Sequence, residues 1–576
     1  MLRGLIRSPG FWGRAAAVIA GGLLLACAYP LPPALGPLEG ASTAWLALVP
    51  LIMVARCGSR RAAFGYGWLG GMAFWLLTLV WVLQLRHTWG YLPVVILCWI
   101  ALAGYCALYT ALFGRLVAAW FPWPSRADAV EAAAGDRDPS GRAAAWRELL
   151  LLPALPVLWA GLEMMRGHLF TGFPWNALGV SQARNIGLLQ LAALGGVPLL
   201  SALVMLVNTA LALMAFSAVA RITGRGPRRR FHPELMLALV AVAGGWVWGT
   251  GELHRIEREA DVTGFQTGLI QPAIPQPAKW DDAAADATYA TLHRQSELAL
   301  YARPDLLIWP ETAIPDVYRY EPYAQSVVRS IVTNGVPLLL GTMDMQEDAR
   351  GRLWFNSALL VAPDMTIVET YHKRHLVPFG EYIPFERTLP LLGRLAPLGF
   401  SCTPGEAPVV FRFPVREREG RPAATVPFAV LICFEDIMAA QARDAVRAGA
   451  RALVNLTNDA WFDGSSAAEQ HMLHAVFRAV ENRVPMIRST NTGLSAFIER
   501  TGRIKEALWL ADRAAPVEGF AVNTVAVPHA APTSLYARIG AWSFGWPAMG
   551  LTLVALVATL PVRWPQRAKG SRPSRA

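Results

Sequence analysis

No CxxC pair occurs in this chain. Its six cysteines, Cys27, Cys57, Cys98, Cys106, Cys402 and Cys433, are too few and too scattered for a disulfide framework, and their spacing excludes a structural zinc site. Charged residues are scarce, at 16% against 54% hydrophobic, which excludes an ordinary soluble or disordered chain and makes a membrane protein the first expectation. There is no glycine-rich phosphate loop to mark a nucleotide site. The formal charge of +11 could serve nucleic acid, but the arginines stand in short blocks between apolar runs, the pattern of membrane orientation. Four of the cysteines lie in or beside those runs, where a small buried hydrophobe is the ordinary role. Cys402 and Cys433 fall in the polar part, and a disulfide between them would block chemistry at either.

A helix crossing roughly 30 Å of hydrocarbon needs about 20 mostly apolar residues. Eight runs approach that size, near residues 15–33, 39–55, 63–85, 92–114, 148–165, 188–218, 234–251 and 539–561. The sixth is long enough to break at Gly195, Gly196 and Pro198. Positive charge gathers at the N-terminus (Arg3, Arg7, Arg14), after the second run (Arg56, Arg60, Arg61), after the fourth (Arg115 to Arg147), after the sixth (Arg221 to Arg230) and in the tail, while the alternate loops hold Arg86, Arg166 and Arg184. That alternation puts both termini in the cytoplasm and residues 255–535 outside. Residues 124–147 are polar and read as a loose cytoplasmic loop. Leu24, Leu25, Ala26 and Cys27 look like a lipoprotein signal, but seven further runs favour a retained first helix. The expected division is 1–254 with seven spans, 255–535 as an outward domain, and 536–576 with the eighth span and a basic tail.

Within 255–535 the apolar runs shorten to strand length. Strands are expected at Gly268–Gln271, Leu306–Trp309, Pro337–Gly341, Ser357–Val361, Phe428–Cys433, Ala452–Leu456, Met486–Ser489 and Ser495–Ile498, with helices at Ala284–Tyr301, Tyr323–Thr333, Ala439–Ala448 and Ala467–Glu481. Such alternation argues for an α/β domain. Three reactive groups follow these strands: Glu311 after Leu307-Ile308-Trp309-Pro310, Lys373 in His372-Lys373-Arg374-His375, and Cys433 in Leu431-Ile432-Cys433-Phe434-Glu435-Asp436. A nucleophilic thiol needs a base and a cation to hold an oxyanion, and these three supply the set. Lys373 is one of only four lysines in a chain that otherwise uses arginine, so a titratable amine is implied there. Taken singly, each has an ordinary reading, as a solvated cap, a surface charge and an inert core thiol.

The order Glu, Lys, Cys with these flanks resembles the nitrilase superfamily, and the apolar runs around it resemble its membrane-embedded branch, the apolipoprotein N-acyltransferases. The resemblance extends to Gly172-Phe173-Pro174-Trp175 and Gln182, to Gln271–Trp280, to Val377–Pro384, to Asn458–Phe462 and to Arg488–Asn491. It implies an α/β nitrilase-like α-β-β-α sandwich inserted in an eight-helix transmembrane bundle of the bacterial inner membrane, with the sandwich in the periplasm. It further implies Glu311 as general base, Lys373 at the oxyanion and Cys433 as nucleophile. Glu381 would assist at the tetrahedral intermediate, and Trp280, Phe434, Glu435 and Trp461 would shape the site. Phe434 stands where some relatives have tyrosine, and Asp463 separates Phe462 from Gly464.

The implied reaction takes an acyl chain from a phospholipid, with phosphatidylethanolamine the expected donor, onto Cys433. It then passes the chain to the α-amine of a diacylglyceryl-cysteine apolipoprotein. Rival readings are a membrane-tethered amidase, a transporter or scaffold with a dead domain, and a cysteine protease using His471 or His474, which lie three apart on a helix and read as its polar face. The apolar stretch Thr388–Phe400, rich in leucine, proline and glycine, is expected to form a lid that dips into the membrane interface.

Overall fold

The computed structural model describes residues 10–32, 40–89, 91–123, 139–223, 231–348, 351–384, 386, 388, 400–415, 417, 423–462, 465–508 and 517–560. The expected lid lies almost wholly outside them, as do Asp463 and Gly464. The apolar runs fold as helices: α1 (Phe11–Ala26), α2 (Val49–Arg56, entered through the 3-10 turn Ala41–Trp45), α3 (Arg60–Thr78), α4 (Leu92–Trp120), α5 (Pro139–Arg166), α6 (Ala192–Thr223) and α7 (Pro233–Glu257). Among the described residues, five segments are long and apolar enough to cross a membrane: Leu92–Trp120, Glu148–Arg166, Ala192–Ile222, Pro233–Glu257 and Leu535–Val557. Phe11–Ala26 and Ala41–Arg56 are apolar but shorter. Five of the eight expected runs therefore reach spanning length and apolarity.

α6 breaks where its glycines predict, with Gly196 at φ 67° and ψ −168°. The loop expected at 124–147 is shorter than that, because α5 already begins at Pro139. Two arginines counted toward the charge alternation are not free loop charges. Arg56 is 2% exposed and pairs with Glu148, and Arg166, equally buried, donates to the carbonyls of Phe173 (2.6 Å) and Trp175 (2.7 Å).

Two sheets follow. The first runs β13 (Gly519–Pro528), β1 (Val262–Gln271), β2 (Leu306–Ile308), β4 (Leu338–Asp348), β5 (Gly351–Val361), β6 (Ile367–His372), with β3 (Ile314–Val317) also on β4. The second runs β12 (Ile504–Leu508), β11 (Ser495–Ile498), β10 (Met486–Thr490), β9 (Ala452–Thr457), β8 (Ala424–Ile432), β7 (Val410–Val415). The sheets face each other across a core that includes Phe265, Leu269 and Ile308 from one and Phe428, Val430 and Ile487 from the other. The outer face of the first is covered by α9 (Ala285–Leu300) and α10 (Pro322–Val332); the short helix α8 (Gln276–Lys279) precedes them. The outer face of the second is covered by α11 (Ala439–Arg447) and α12 (Ala467–Asn482), giving an α-β-β-α sandwich. β9 reads Ala-Leu-Val-Asn-Leu-Thr and every residue of it is buried, as a central parallel strand with both faces covered requires.

α12 is buried along nearly its whole length, on its far side as well as toward the sheet. Its apolar residues, among them Met472, Val476 and Phe477, belong to the same continuous core as Leu155, Leu178 and Leu189 of the helical half. The chain then leaves β13 through α13 (Leu535–Ile539) into α14 (Gly545–Val557).

α3 lacks the apolarity of its neighbours because small residues occupy its contact with α4. A Cβ on Gly67 would stand 2.6 Å from the Thr110 carbonyl oxygen and 2.9 Å from the Ala111 Cα, closer than real Cβ atoms approach. Gly67→Val is therefore expected to force α3 and α4 apart at a cost of about 1–3 kcal/mol or more. A thermal unfolding midpoint in detergent equal to that of the unsubstituted protein would contradict this packing.

Candidate active site

The parallel strands β8, β9 and β10 end on the same side, where β2 of the other sheet also ends, and each end delivers a side chain. β8 runs out at Ile432, and Cys433 turns the chain with φ 52°, a left-handed conformation that costs a non-glycine residue roughly 1–3 kcal/mol and must be held by its surroundings. The Cys433 carbonyl accepts from Asn455 Nδ2 at 3.1 Å, and the thiol faces the Thr457 hydroxyl. Cys433 also opens a four-residue 3-10 turn, Cys433–Asp436.

Glu311 stands at the turn after β2, and the following Thr312 is again left-handed, with φ 43°. That turn lies on β4 so closely that a Cβ on Gly341 would be 2.3 Å from the Pro310 oxygen and 2.8 Å from the Glu311 Cα. Lys373 begins the segment after β6, 1% exposed. Its Nζ contacts Glu381 Oε1 at 2.9 Å and Glu311 Oε1 at 3.5 Å, and Asn356 Nδ2 donates to both carboxylates, at 2.8 and 2.7 Å. Burial depresses the charged form of Lys373, but Glu381 and then Glu311 outweigh it and hold the amine protonated well above its ordinary range. For Cys433 the balance has the opposite sense: burial and the Glu311 charge push the thiol up, against the pull of Lys373. The resting site thus contains a thiol, an ammonium and two carboxylates, with Glu311 the carboxylate whose charge bears most strongly on the thiol.

These groups line one end of a cavity of about 600 Å³. From there the cavity passes Trp280, Phe434, Trp461 and Phe462, then Phe173 and Trp175, and reaches Leu102 and Tyr105 of α4 in the helical half. Phe434 stacks on Phe173 at 6.4 Å and on Trp175 at 6.3 Å, so its ring is part of the wall and no hydroxyl is required of it. Trp280, 41% exposed, stands at the rim.

Of the residues singled out from sequence, Glu311, Lys373, Cys433, Glu381, Trp280, Phe434 and Trp461 all line this cavity. Glu435 does not. It is fully buried behind the site, where its carboxylate accepts from Tyr371 Oη, from the amides of Arg374 (2.7 Å) and His375 (3.0 Å), and from Ile432 N (2.7 Å), clamping the Lys373 segment to the end of β8. Cys402 is a free thiol packed behind Glu381, to whose carbonyl its amide donates at 2.7 Å, and burial pushes its pKa to about 12; Cys433 is free too.

The two histidines of α12 are not a polar face. His471 and His474 are 4% and 2% exposed. His471 Nε2 meets Asp436 at 2.7 Å and its Nδ1 meets Asp459 at 3.1 Å, while Arg488 binds the same two carboxylates and also approaches His471 Nδ1 at 2.9 Å. Burial lowers His471, yet the two aspartates raise it overall. His474, by contrast, is driven well below its ordinary range by burial and by Arg478, and faces the amide of Asn176 at 3.4 Å. Among the described residues neither histidine bonds to Cys433. Also missed from sequence were Asn356 and the buried Lys279, whose Nζ donates to the Glu311 carbonyl at 2.8 Å. The rarity of lysine, which singles out Lys373, applies equally to Lys279.

A family model described as the apolipoprotein N-acyltransferase N-terminal domain matches residues 21–210, and one described as carbon-nitrogen hydrolase matches residues 267–511. The chain is 35% identical to the apolipoprotein N-acyltransferase of Geobacter metallireducens over 84% of its own length and 85% of that protein's. It is 31% identical to those of Azotobacter vinelandii, with 87% and 88% covered, and of Agrobacterium fabrum, with 77% of each. The chain belongs to the apolipoprotein N-acyltransferase family. It is therefore an acyltransferase of a family that catalyses lipoprotein N-acylation, built on a nitrilase-like domain, and the amidase and inactive-scaffold readings are set aside.

Gly341→Ala is expected to displace the Glu311 turn and lower turnover at least tenfold while the protein still folds. Activity of that variant within twofold of the unsubstituted enzyme would contradict the close approach as a constraint on the site.

Proposed function

We propose that Cys433 carries the acyl chain as a thioester, with Glu311 as general base and Lys373 as the oxyanion partner. The observation that supports this reading is the cavity, which holds thiol, carboxylate and ammonium at one end and is walled by apolar membrane-type helix at the other. Glu311 takes the proton from Cys433, and the thiolate adds to an ester carbonyl of a phospholipid. The oxyanion forms beside the protonated Lys373, whose charge Glu381 maintains. Collapse releases the lysophospholipid alcohol, which receives the proton from Glu311. The α-amine of a diacylglyceryl-cysteine apolipoprotein then adds to the thioester, gives its proton to Glu311, and expels the thiolate as the amide forms.

Phosphatidylethanolamine is the donor proposed, and the acyl chain lies along Phe173, Trp175, Leu102 and Tyr105. In this reading Trp280 and Trp461 flank the entrance, Phe434 supports the wall, and Glu435 acts from behind by fixing the Lys373 segment. Residues 1–254 with seven spans and the eighth in 536–576 form an inner-membrane bundle. Residues 255–535 face the periplasm, and both termini face the cytoplasm. The surviving loop arginines support that orientation, and no metal or nucleotide enters any step.

Two outcomes are expected. Cys433→Ala abolishes a single acyl adduct seen by intact mass after incubation with phosphatidylethanolamine, and Glu311→Gln and Lys373→Ala each lower turnover by about a hundredfold or more. Double substitutions cost little beyond the singles. Substantial transferase activity in Cys433→Ala would sink the thioester. For orientation, Tyr301 is 86% exposed on the proposed periplasmic side. A Tyr301→Cys variant is expected to react with an impermeant thiol reagent added to spheroplasts, and protection until the membrane is lysed would reverse the topology.

A further inference from the structure

The two apolar segments that flank the sandwich in sequence, Pro233–Glu257 and Leu535–Val557, pass the chain to it and take it back at one place. β1 begins at Val262 and β13 ends at Pro528, and these two residues are register partners. Thr263 stands six residues after Glu257, and His529 six residues before Leu535. Even a fully extended chain therefore keeps each within about 20 Å of the end of a segment able to span the membrane.

Between them lies a second cavity, of about 260 Å³, at the end of the sandwich away from the thiol. Thr425 lines it near the start of β8, whereas Cys433 follows the end of that strand, about 25 Å away. α11 links it to the second segment: Arg443 donates to the Arg538 carbonyl at 2.8 Å, and Gly449, just past the other end of α11, lines the cavity.

Among the described residues no carboxylate lines this cleft. Its polar walls are Arg412 of β7, Arg451 just before β9, Thr263, Thr425 and His529. Thr263 Oγ1 and His529 Nε2 meet at 2.9 Å. Arg451 is held through its backbone, whose amide donates to the Pro427 carbonyl at 2.7 Å, and its Nη1 donates to the Ala450 carbonyl at 3.0 Å. Neither arginine is ion-paired among the described residues. Burial and then the Arg412 charge lower Arg451, so the two guanidinium groups stand close enough to repel. A lone charge on an edge strand such as β7 is ordinary, because it discourages pairing with other strands. That accounts for Arg412 but not for Arg451, which precedes a central strand and lines the same cavity.

We propose that this cleft binds the phosphate of a lipid headgroup at the membrane surface, with Arg412 and Arg451 as its cationic walls and Thr263, Thr425 and His529 as further hydrogen-bonding partners. A guanidinium presents its N–H groups as a fork that matches phosphate oxygens. The bound phosphate offsets the repulsion between the arginines, and a headgroup with net negative charge is held more tightly than a zwitterionic one. The site is separate from the acyl-transfer cavity and independent of the thioester mechanism. It ties the end of the sandwich to the bilayer beside the two crossings.

The test uses the full-length enzyme in detergent and follows bound phospholipid by native mass spectrometry, with phosphatidylglycerol, phosphatidylcholine or inorganic phosphate added. The unsubstituted protein is expected to bind phosphatidylglycerol more tightly than phosphatidylcholine, and the double variant Arg412→Gln/Arg451→Gln to bind phosphatidylglycerol about tenfold or more weakly. The double variant is expected to form the acyl adduct on Cys433 at an unchanged rate. Arg447→Gln, which removes an exposed charge of α11 outside the cleft, is expected to bind as the unsubstituted protein does. Equal binding by the double variant would overturn the proposal, and so would an equal loss in Arg447→Gln, which would leave only diffuse surface charge. Binding of inorganic phosphate that the double variant loses, with phosphatidylglycerol binding unchanged, would assign the cleft to a free anion and overturn the lipid. An adduct lost together with the lipid would overturn the separateness of the two sites. If the double variant does not fold, Arg412→Gln alone, at an exposed position, is expected to weaken binding about threefold, and unchanged binding overturns the proposal.

Discussion

The side-chain amide of Gln470 makes four contacts that join the two halves of the chain. Its Nε2 donates to the carbonyls of Pro30 (2.8 Å) and Thr78 (3.1 Å), and its Oε1 accepts from Trp175 Nε1 (2.7 Å) and Asn176 Nδ2 (3.1 Å). All of this is buried, so each bond replaces one that water would otherwise make, and leaving any of them unmade would cost about 1–3 kcal/mol. Gln470 fixes α12 against the helical half. The next residue, His471, fixes α12 against the turns that begin at Cys433 and end at Phe462. Two adjacent residues on one helix therefore set where the thiol stands relative to the helices that wall the far end of the cavity.

The buried charges serve the same end. Asp436 and Asp459 face Arg488 and His471, and Glu311 and Glu381 face Lys373, with Lys279 behind. Such groups contribute little net stability, because desolvation offsets most of the attraction. What they provide is geometry: each carboxylate has two or more partners at fixed distances, so the strained turn at Cys433 has few alternatives. Glu435 acts likewise through four donors rather than through a charge partner.

Much of this was legible in the sequence because alternation, run length and turn residues are local. The strands at Met486 and Ser495 and the helices at Ala439 and Ala467 begin where their patterns place them. Ile314–Val317, Ile367–His372, Val410–Val415, Ile504–Leu508 and Gly519–Pro528 escaped notice. They are edge or near-edge strands of mixed polarity whose pairing is decided by distant partners. The cavity residues were legible from their motifs, but not which way Glu435 points, since its partners lie some 60 residues away in sequence. Likewise a histidine pair three apart gives no sign of burial when the covering surface is a separate run of chain, here the segment at Trp175.

An ordinary α-β-β-α sandwich can be cut free of its neighbours because water covers its outer helices. Here Met472, Val476 and Phe477 are interior residues of a core completed by Leu178 and Leu189. Excised at the boundary after α7, the sandwich would bare that face and strip Gln470 of its partners at Pro30, Thr78, Trp175 and Asn176. A shared core of this kind is expected to make the two halves melt together, so that a lesion among the helices also loosens the layer that α12 forms behind the thiol.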